Sequence, residues 1–298
     1  MKTFRLGLLL LAAVGMAAAH DDSAINCDSC AGWNQPQAPF NIYGNSWYVG
    51  TAGLSAVLVT SPKGHILLDG ALPQSAAQIE QNIAALGFRI QDVKLIVNSH
   101  AHFDHAGGIA ALQKASGAVV AASAAGAQWL RDGAHGKDDP QYDARHQAHF
   151  PPVAEVKVVR DGEVLSVGDL RLTAHMTPGH TPGGTTWSWR ACEEGRCVDV
   201  VYADSLTPIS AEGFRFSGDQ KHPDISDAFK ASIAKVEALR CDIVVSVHPD
   251  FTGTFQKLAA KSANANPFLS PGGCREYAKA AAKSLTARLN SEQQEKTK

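Results

Sequence analysis

The run Asn98-Ser99-His100-Ala101-His102-Phe103-Asp104-His105-Ala106-Gly107-Gly108 places three imidazoles and a carboxylate within six residues, directly after the apolar stretch Val93 to Val97. A chain built this way must end a buried strand at a polar cluster, and a metal site is the arrangement that uses such a cluster. Imidazole with carboxylate suits zinc and its first-row neighbours. The run has no thiolate for an iron-sulfur centre and no oxygen-only cage for calcium. Alternate residues of an extended segment share a side, so His100 and His102 can meet one ion. Asp104 and His105 follow where the chain turns toward a helix expected over Ala106 to Ser116, and they face a different point. The run therefore predicts two neighbouring ions. Gly107 and Gly108 let the backbone pass close to a ligand cluster and turn. A histidine-rich surface loop, the competing reading, accounts for neither the strand before the cluster nor the glycines after it.

Met1 to Ala19 reads as a secretory signal: Lys2 and Arg5, an apolar core from Leu6 to Met16, then Ala17-Ala18-Ala19 before the cut. The core is too short to span a bilayer and no lipid-attachment cysteine follows, so an exported, periplasmic chain without a membrane anchor is expected. Loss of the two basic residues changes the net charge from −2 to −4. That leaves no electrostatic footprint for nucleic acid.

Six cysteines in an exported chain suggest disulfides, for which full pairing allows 15 connectivities. Cys241, at the start of a strand-like run, and Cys274, before the last helix, enclose a loop whose closure contributes roughly 3 to 4 kcal/mol. Cys192 and Cys197 flank the hairpin-like tip Glu193-Glu194-Gly195-Arg196, a short closure nearer about 2 kcal/mol. Cys27 and Cys30 form a C-x-x-C pair. Without a strand-helix context a small structural disulfide fits better than a redox motif.

No Pro-rich or Gly/Ser-rich linker divides residues 20–298, which predicts one domain with an extended leader over 20–38 and a polar tail over 291–298. Strands are expected at Trp47 to Gly50, Ser55 to Thr60, His65 to Asp69, Val93 to Val97, Ala118 to Ala121, Val156 to Val159, Leu170 to His175, Thr185 to Arg190, Val198 to Ala203 and Asp242 to Val247. Besides the helix from Ala106, helices are expected at Ser75 to Leu86, Ser123 to Leu130, Ser226 to Leu239 and Arg275 to Leu289. Strands with interspersed helices, twice over, fit sheets sandwiched between helix layers.

Two further histidines sit at strand ends flanked by Gly and Pro: His180 in Thr177-Pro178-Gly179-His180-Thr181-Pro182-Gly183-Gly184, and His248 in Val244-Val245-Ser246-Val247-His248-Pro249. Side chains projected from a rigid sheet edge are what a preorganised site needs. Histidines 20, 65, 135, 146, 149, 175 and 222 lack this context and read as surface or structural residues. The polar loop from Gly133 to Phe150, which holds His146 and His149, is long enough to flank the site.

His-x-His-x-Asp-His, Pro-Gly-His-Thr-x-Gly-Gly, Tyr202-Ala203-Asp204-Ser205-Leu206-Thr207 and the final His-Pro resemble the metallo-β-lactamase superfamily, and more narrowly its exported subclass B3 enzymes. The resemblance runs from about Ala31 to Leu289. The narrower match rests on His105, on Ser205 where another subclass has a zinc-binding cysteine, and on Cys241 with Cys274. It implies an α/β fold, the four-layer αβ/βα sandwich, and two zinc ions, one on His100, His102 and His180 and the other on Asp104, His105 and His248. It further implies hydrolysis of the β-lactam amide in penicillins, cephalosporins and carbapenems by a metal-bridging hydroxide, conferring antibiotic resistance. Asp104 would orient that hydroxide and relay its proton. Ser205 and Thr207 would contact the substrate carboxylate, with Gln141 as a rim candidate, and the chain would act as a monomer on a small molecule. Two alternatives stand beside this: a lactone or thioester hydrolase in which Asp204 bridges the metals, and an exported zinc-binding protein without catalysis.

Overall fold

Apolar residues alternate in and out along most strands, and a sheet whose two faces are both apolar must be covered twice. The computed structural model, which describes residues 24–296, answers with four layers. The expected signal at 1–19 lies outside the described residues.

The first sheet is a seven-strand array in sequential order: β1 Phe40–Tyr43, β2 Ser46–Tyr48, β3 Val57–Val59, β4 His65–Leu68, β5 Val93–Val97, β6 Val119–Ala122 and β7 Val156–Val158. β1 to β4 pair antiparallel and β4 to β7 parallel. The second sheet runs β12-β11-β10-β9-β8, from β8 Val164–Val167, β9 Leu170–Met176, β10 Thr185–Glu193, β11 Arg196–Ala203 and β12 Ile243–Ser246. The helices are α1 Cys30–Trp33, α2 Ala76–Ala85, α3 Phe103–Ala106, α4 Ile109–Ser116, α5 Ala124–Asp132, α6 Ser226–Ala238, α7 Thr254–Ala259 and α8 Gly273–Lys296.

Three apolar layers separate these four. Leu58, Leu67 and Ile96 face Ile79 and Ile83 of α2, Leu112 of α4 and Leu130 of α5. Their strand neighbours Val57, Ile66, Leu68 and Val97 point the other way, against Leu172, Trp187, Val200 and Val245 of the second sheet. Val201 and Val244 then pack on Phe229 and Ile233 of α6 and on Tyr277 and Leu285 of α8. The expected αβ/βα sandwich is present. Among the described residues no helix is long and apolar enough to cross a membrane.

Several local expectations give way. The helix expected from Ala106 is split into α3 and α4, because the chain must touch Gly70 at the break: a Cβ on Gly108 would lie 2.2 Å from the Gly70 carbonyl oxygen. β1, β8 and α7 were not expected; β1 and β8 are short edge strands. The leader is not uniformly extended. It forms the turn α1, is closed by Cys27–Cys30, and is docked by Trp33, whose carbonyl accepts from Gly53 N and Thr51 Oγ1.

The polar tail is not a tail either. α8 continues through it because Glu292 follows Leu285 and Leu289 on the buried face, where its carboxylate accepts from Phe216 N (3.0 Å), Ser217 N (2.9 Å) and Arg288 Nε (2.7 Å). The other two disulfides form as expected, Cys241–Cys274 and Cys192–Cys197. The latter bridges directly opposed residues of a two-residue hairpin whose Glu194 and Gly195 both have positive φ, the geometry that suits strand twist.

Candidate metal centre

The site lies at one end of the sandwich, where β5, β11 and β12 stop and the β9–β10 connection crosses. The end of β5 is fixed by Asp69, which is fully buried and held at φ 61°, a left-handed conformation costing an aspartate about 1 kcal/mol or more. Its carboxylate accepts from Ser99 N (2.7 Å), Ser99 Oγ (2.6 Å), Asn98 Nδ2 (2.9 Å) and Tyr202 Oη (2.9 Å). The Trp187 indole donates to the Asn98 carbonyl (3.1 Å). Strand end and core thus share one network immediately before His100.

His100, His102 and His180 converge. Ring centroids lie 4.8 Å apart for His100–His102, 4.9 Å for His100–His180 and 5.1 Å for His102–His180, and one nitrogen of each falls within 4.8 Å of the others. Each ring has an oxygen on its outer nitrogen. His100 Nδ1 is 2.7 Å from Asp204 Oδ1, His102 Nε2 is 2.9 Å from Asp139 Oδ2, and His180 Nδ1 is 2.9 Å from the Thr207 carbonyl. An outer partner that fixes the ring and leaves the inner nitrogen free is the usual support of a metal-binding imidazole.

His100 Nε2 is buried with no hydrogen-bond partner. An orphaned buried nitrogen is costly unless something fills the gap, and a cation among three imidazoles does so. Burial, with crowding by His105, His102 and His180, keeps the His100 imidazole well below its ordinary pKa, and burial with His102 lowers His180 to about 3. Both rings are therefore neutral and able to donate lone pairs at pH 7. Asp204 is fully buried behind His100. Burial, then the nearby Asp69, pushes its carboxyl well up.

The second group is looser. Asp104 Oδ2 lies 3.1 Å from His105 Nε2 and 3.4 Å from His248 Nε2. Burial opposes the Asp104 charge, but His105 and His248 outweigh it and hold the carboxyl well below its usual range. His248 Nδ1 faces the Gly53 carbonyl at 3.2 Å, while His105 Nδ1 is buried without a partner. The tight donor group containing Asp104 and His105 is completed by His100, and His248 reaches it through Asp104. Of the six expected donors, His102, Asp104, His180 and His248 form one floor, with His100 and His105 buried against them.

That floor belongs to a cavity of about 380 Å³ walled by Trp33, Phe103, Phe150, Ile209 and Phe251, with Gln141, Ser205 and Thr207 among its polar lining. Gln141 Nε2 lies 3.3 Å from His180 Nε2, and Thr207 Oγ1 3.1 Å from His180 Nδ1. The Gly133 to Phe150 loop flanks the site as expected, through His135, Gln141, His146 and Phe150. His135, expected to be a surface or structural residue, sits half-buried beside the site. Its ring lies 5.5 Å from that of His102, and the two histidines form a close donor group with Asp139. Asp69 and Asp139 were missed. The one available signal was a carboxylate between polar loop residues and a strand end, which many surface aspartates share.

A family model for the metallo-β-lactamase superfamily matches residues 50–248. Among solved structures, Rm3 metallo-beta-lactamase is 49% identical with a TM-score of 0.87, the alignment covering 90% of this chain and 100% of that one. MEM-A1, described as a subclass B3 metallo-beta-lactamase from a soil metagenome library, is 49% identical with a TM-score of 0.85, over 88% of this chain and 99% of that one. An acyl-coenzyme A thioesterase, MBLAC2 of Gallus gallus, is 34% identical over 122 residues, 38% of this chain and 43% of the thioesterase. The chain thus spans less than half the length of that curated relative. With the matched model covering two thirds of its residues and the fold agreeing throughout, the chain belongs to the metallo-β-lactamase superfamily.

Proposed function

We propose that the protein is a dizinc β-lactamase of the B3 kind, exported through residues 1–19 and acting as a monomer on penicillins, cephalosporins and carbapenems. One observation carries the reading: six clustered donors at the cavity, three of them imidazoles each backed by an oxygen, in a chain 49% identical to a metallo-β-lactamase along that protein's whole length. His100, His102 and His180 would hold one zinc, and Asp104, His105 and His248 the other. When bound, zinc supplies a Lewis acid for the amide carbonyl and brings the pKa of solvent down to about 7.

The chain's own residues do the rest. Asp104, ionised and aimed into the cavity, orients the attacking solvent and accepts its proton at Oδ2. Ser205 and Thr207 bind the substrate carboxylate, Gln141 closes the rim, and the Trp33, Phe150 and Phe251 walls receive the apolar body and exclude bulk water. No side-chain nucleophile is required, so no covalent intermediate forms on the protein.

The thioesterase relative favours a second reading, thioester hydrolysis. Against it, Asp204, which would have to bridge the metals, lies behind His100 with Oδ1 on Nδ1. A panel of nitrocefin, a carbapenem, a lactone and a thioglutathione ester, run with a zinc count per chain, tests the proposal. β-Lactam opening that disappears on full metal removal and returns with zinc is expected. Dominant thioester turnover selects the second reading, and tight zinc binding without turnover leaves a binding protein.

A further inference from the structure

His102 differs from its two partners. His100 and His180 are held at Nδ1 and so present Nε2 to the centre. His102 is held at Nε2, by Asp139, and presents Nδ1. Asp139 comes from the Gly133 to Phe150 loop and is 2% exposed. Its second oxygen is also used, accepting from Gln141 N at 2.6 Å, and its carbonyl accepts from Tyr142 N at 3.0 Å. Gln141 in turn reaches His180. Pro140 next to it is fastened from outside, its carbonyl accepting from Ala211 N at 2.8 Å.

We infer that Asp139 is a positioning residue that sets which nitrogen His102 gives the first metal and, with its other oxygen, fixes the substrate-facing loop to that metal. The two tasks are inseparable in one carboxylate. Each oxygen has its own donor, so a neutral amide at the same position can satisfy only one of them. A ring whose outer nitrogen loses a charged acceptor can turn or change tautomer, and it then presents its inner lone pair less often. The Gln141 backbone meanwhile loses the acceptor that holds it over His180. Metal affinity and order of the loop are thereby coupled through one side chain.

The inference rests on the zinc-centre reading and not on the choice of substrate. Full-length parent, D139N and D139A proteins are titrated with zinc against a chromophoric chelator and with cobalt by visible absorption. The half-exposed loop carboxylate Asp143, which pairs with Arg145 and His146, is the control in the variant D143N. Expected is a fall in affinity for the first ion of about 10- to 100-fold in D139A, the range for lost outer-shell partners, with D139N between it and the parent. Also expected are an altered cobalt spectrum and faster amide exchange at Gln141 and Tyr142. If D139A does not fold, the near-isosteric D139N decides. Affinity and spectrum within twofold of the parent, or a lowered melting temperature with unchanged affinity, would overturn the assignment. A parent chain that binds no zinc would instead sink the metal reading itself.

Discussion

The two candidate zinc positions are built from the same short run yet supported differently. The first has three imidazoles, each backed by an oxygen at 2.7 to 2.9 Å, and no carboxylate among its donors. The second has a charged carboxylate, but His105 Nδ1 has no partner and His248 is backed at 3.2 Å with its side chain 16% exposed. One trio is well braced; the other carries a carboxylate and is less braced. On the proposed function, the first would fix the electrophile's place, and the second would contribute the base and give way more easily.

The comparison breaks most visibly at His100, whose nitrogen groups with both sets of donors. His100→Ala should release both ions and lower kcat/KM on the order of 10³-fold or more, since metal polarisation contributes several kcal/mol. Retention of one full zinc by elemental analysis would contradict this. Next, His102→Ala should empty mainly the first position and His248→Ala mainly the second. Stepwise dialysis of the parent against a chelator should remove the second ion first, and equal loss of both ions in either variant would dissolve the division.

Asp204→Asn tests the bracing. It keeps the shape while replacing the carboxyl group behind His100 Nδ1 with an amide, and first-ion affinity should fall about tenfold by chelator competition. If Asp204 bridged the metals, the second ion would be lost as well.

The smallest effect lies farthest away. The Thr207 carbonyl that braces His180 begins a segment pinned at Phe216 and Ser217 by Glu292. Burial disfavours the Glu292 charge, but the Ser217 and Phe216 N–H groups and Arg288 outweigh it and hold its carboxyl below the ordinary value. A lowered folded pKa means that the stabilisation is complete above the unfolded value of about 4.3 and is lost as pH falls through the folded one. Glu292→Gln should therefore cost about 1 to 3 kcal/mol in urea unfolding at pH 7, less at pH 3, with turnover of the folded enzyme changed less than threefold.

Much was legible in the chain. His100, His102, Asp104 and His105 announce themselves because donors and a strand end are contiguous, and His180 and His248 because Gly and Pro fix where their strands stop. The sheets were legible from period-two alternation, and the hairpin disulfide from its tip. Glu292 shows why other features were not: a carboxylate in a polar stretch looks solvated until its partners, Phe216 and Ser217, arrive from another element.

The sequence by itself determined the candidate donor residues and the layered fold, because these follow from residue chemistry and local periodicity. Tertiary structure alone decided which nitrogen each of His100, His102 and His180 presents, that Asp204 stands behind His100, and that Asp139 reaches His102. Those outcomes depend on oxygens brought from 104 and 37 residues away, and pairing at such separation is set by packing of the layers, not by any local pattern.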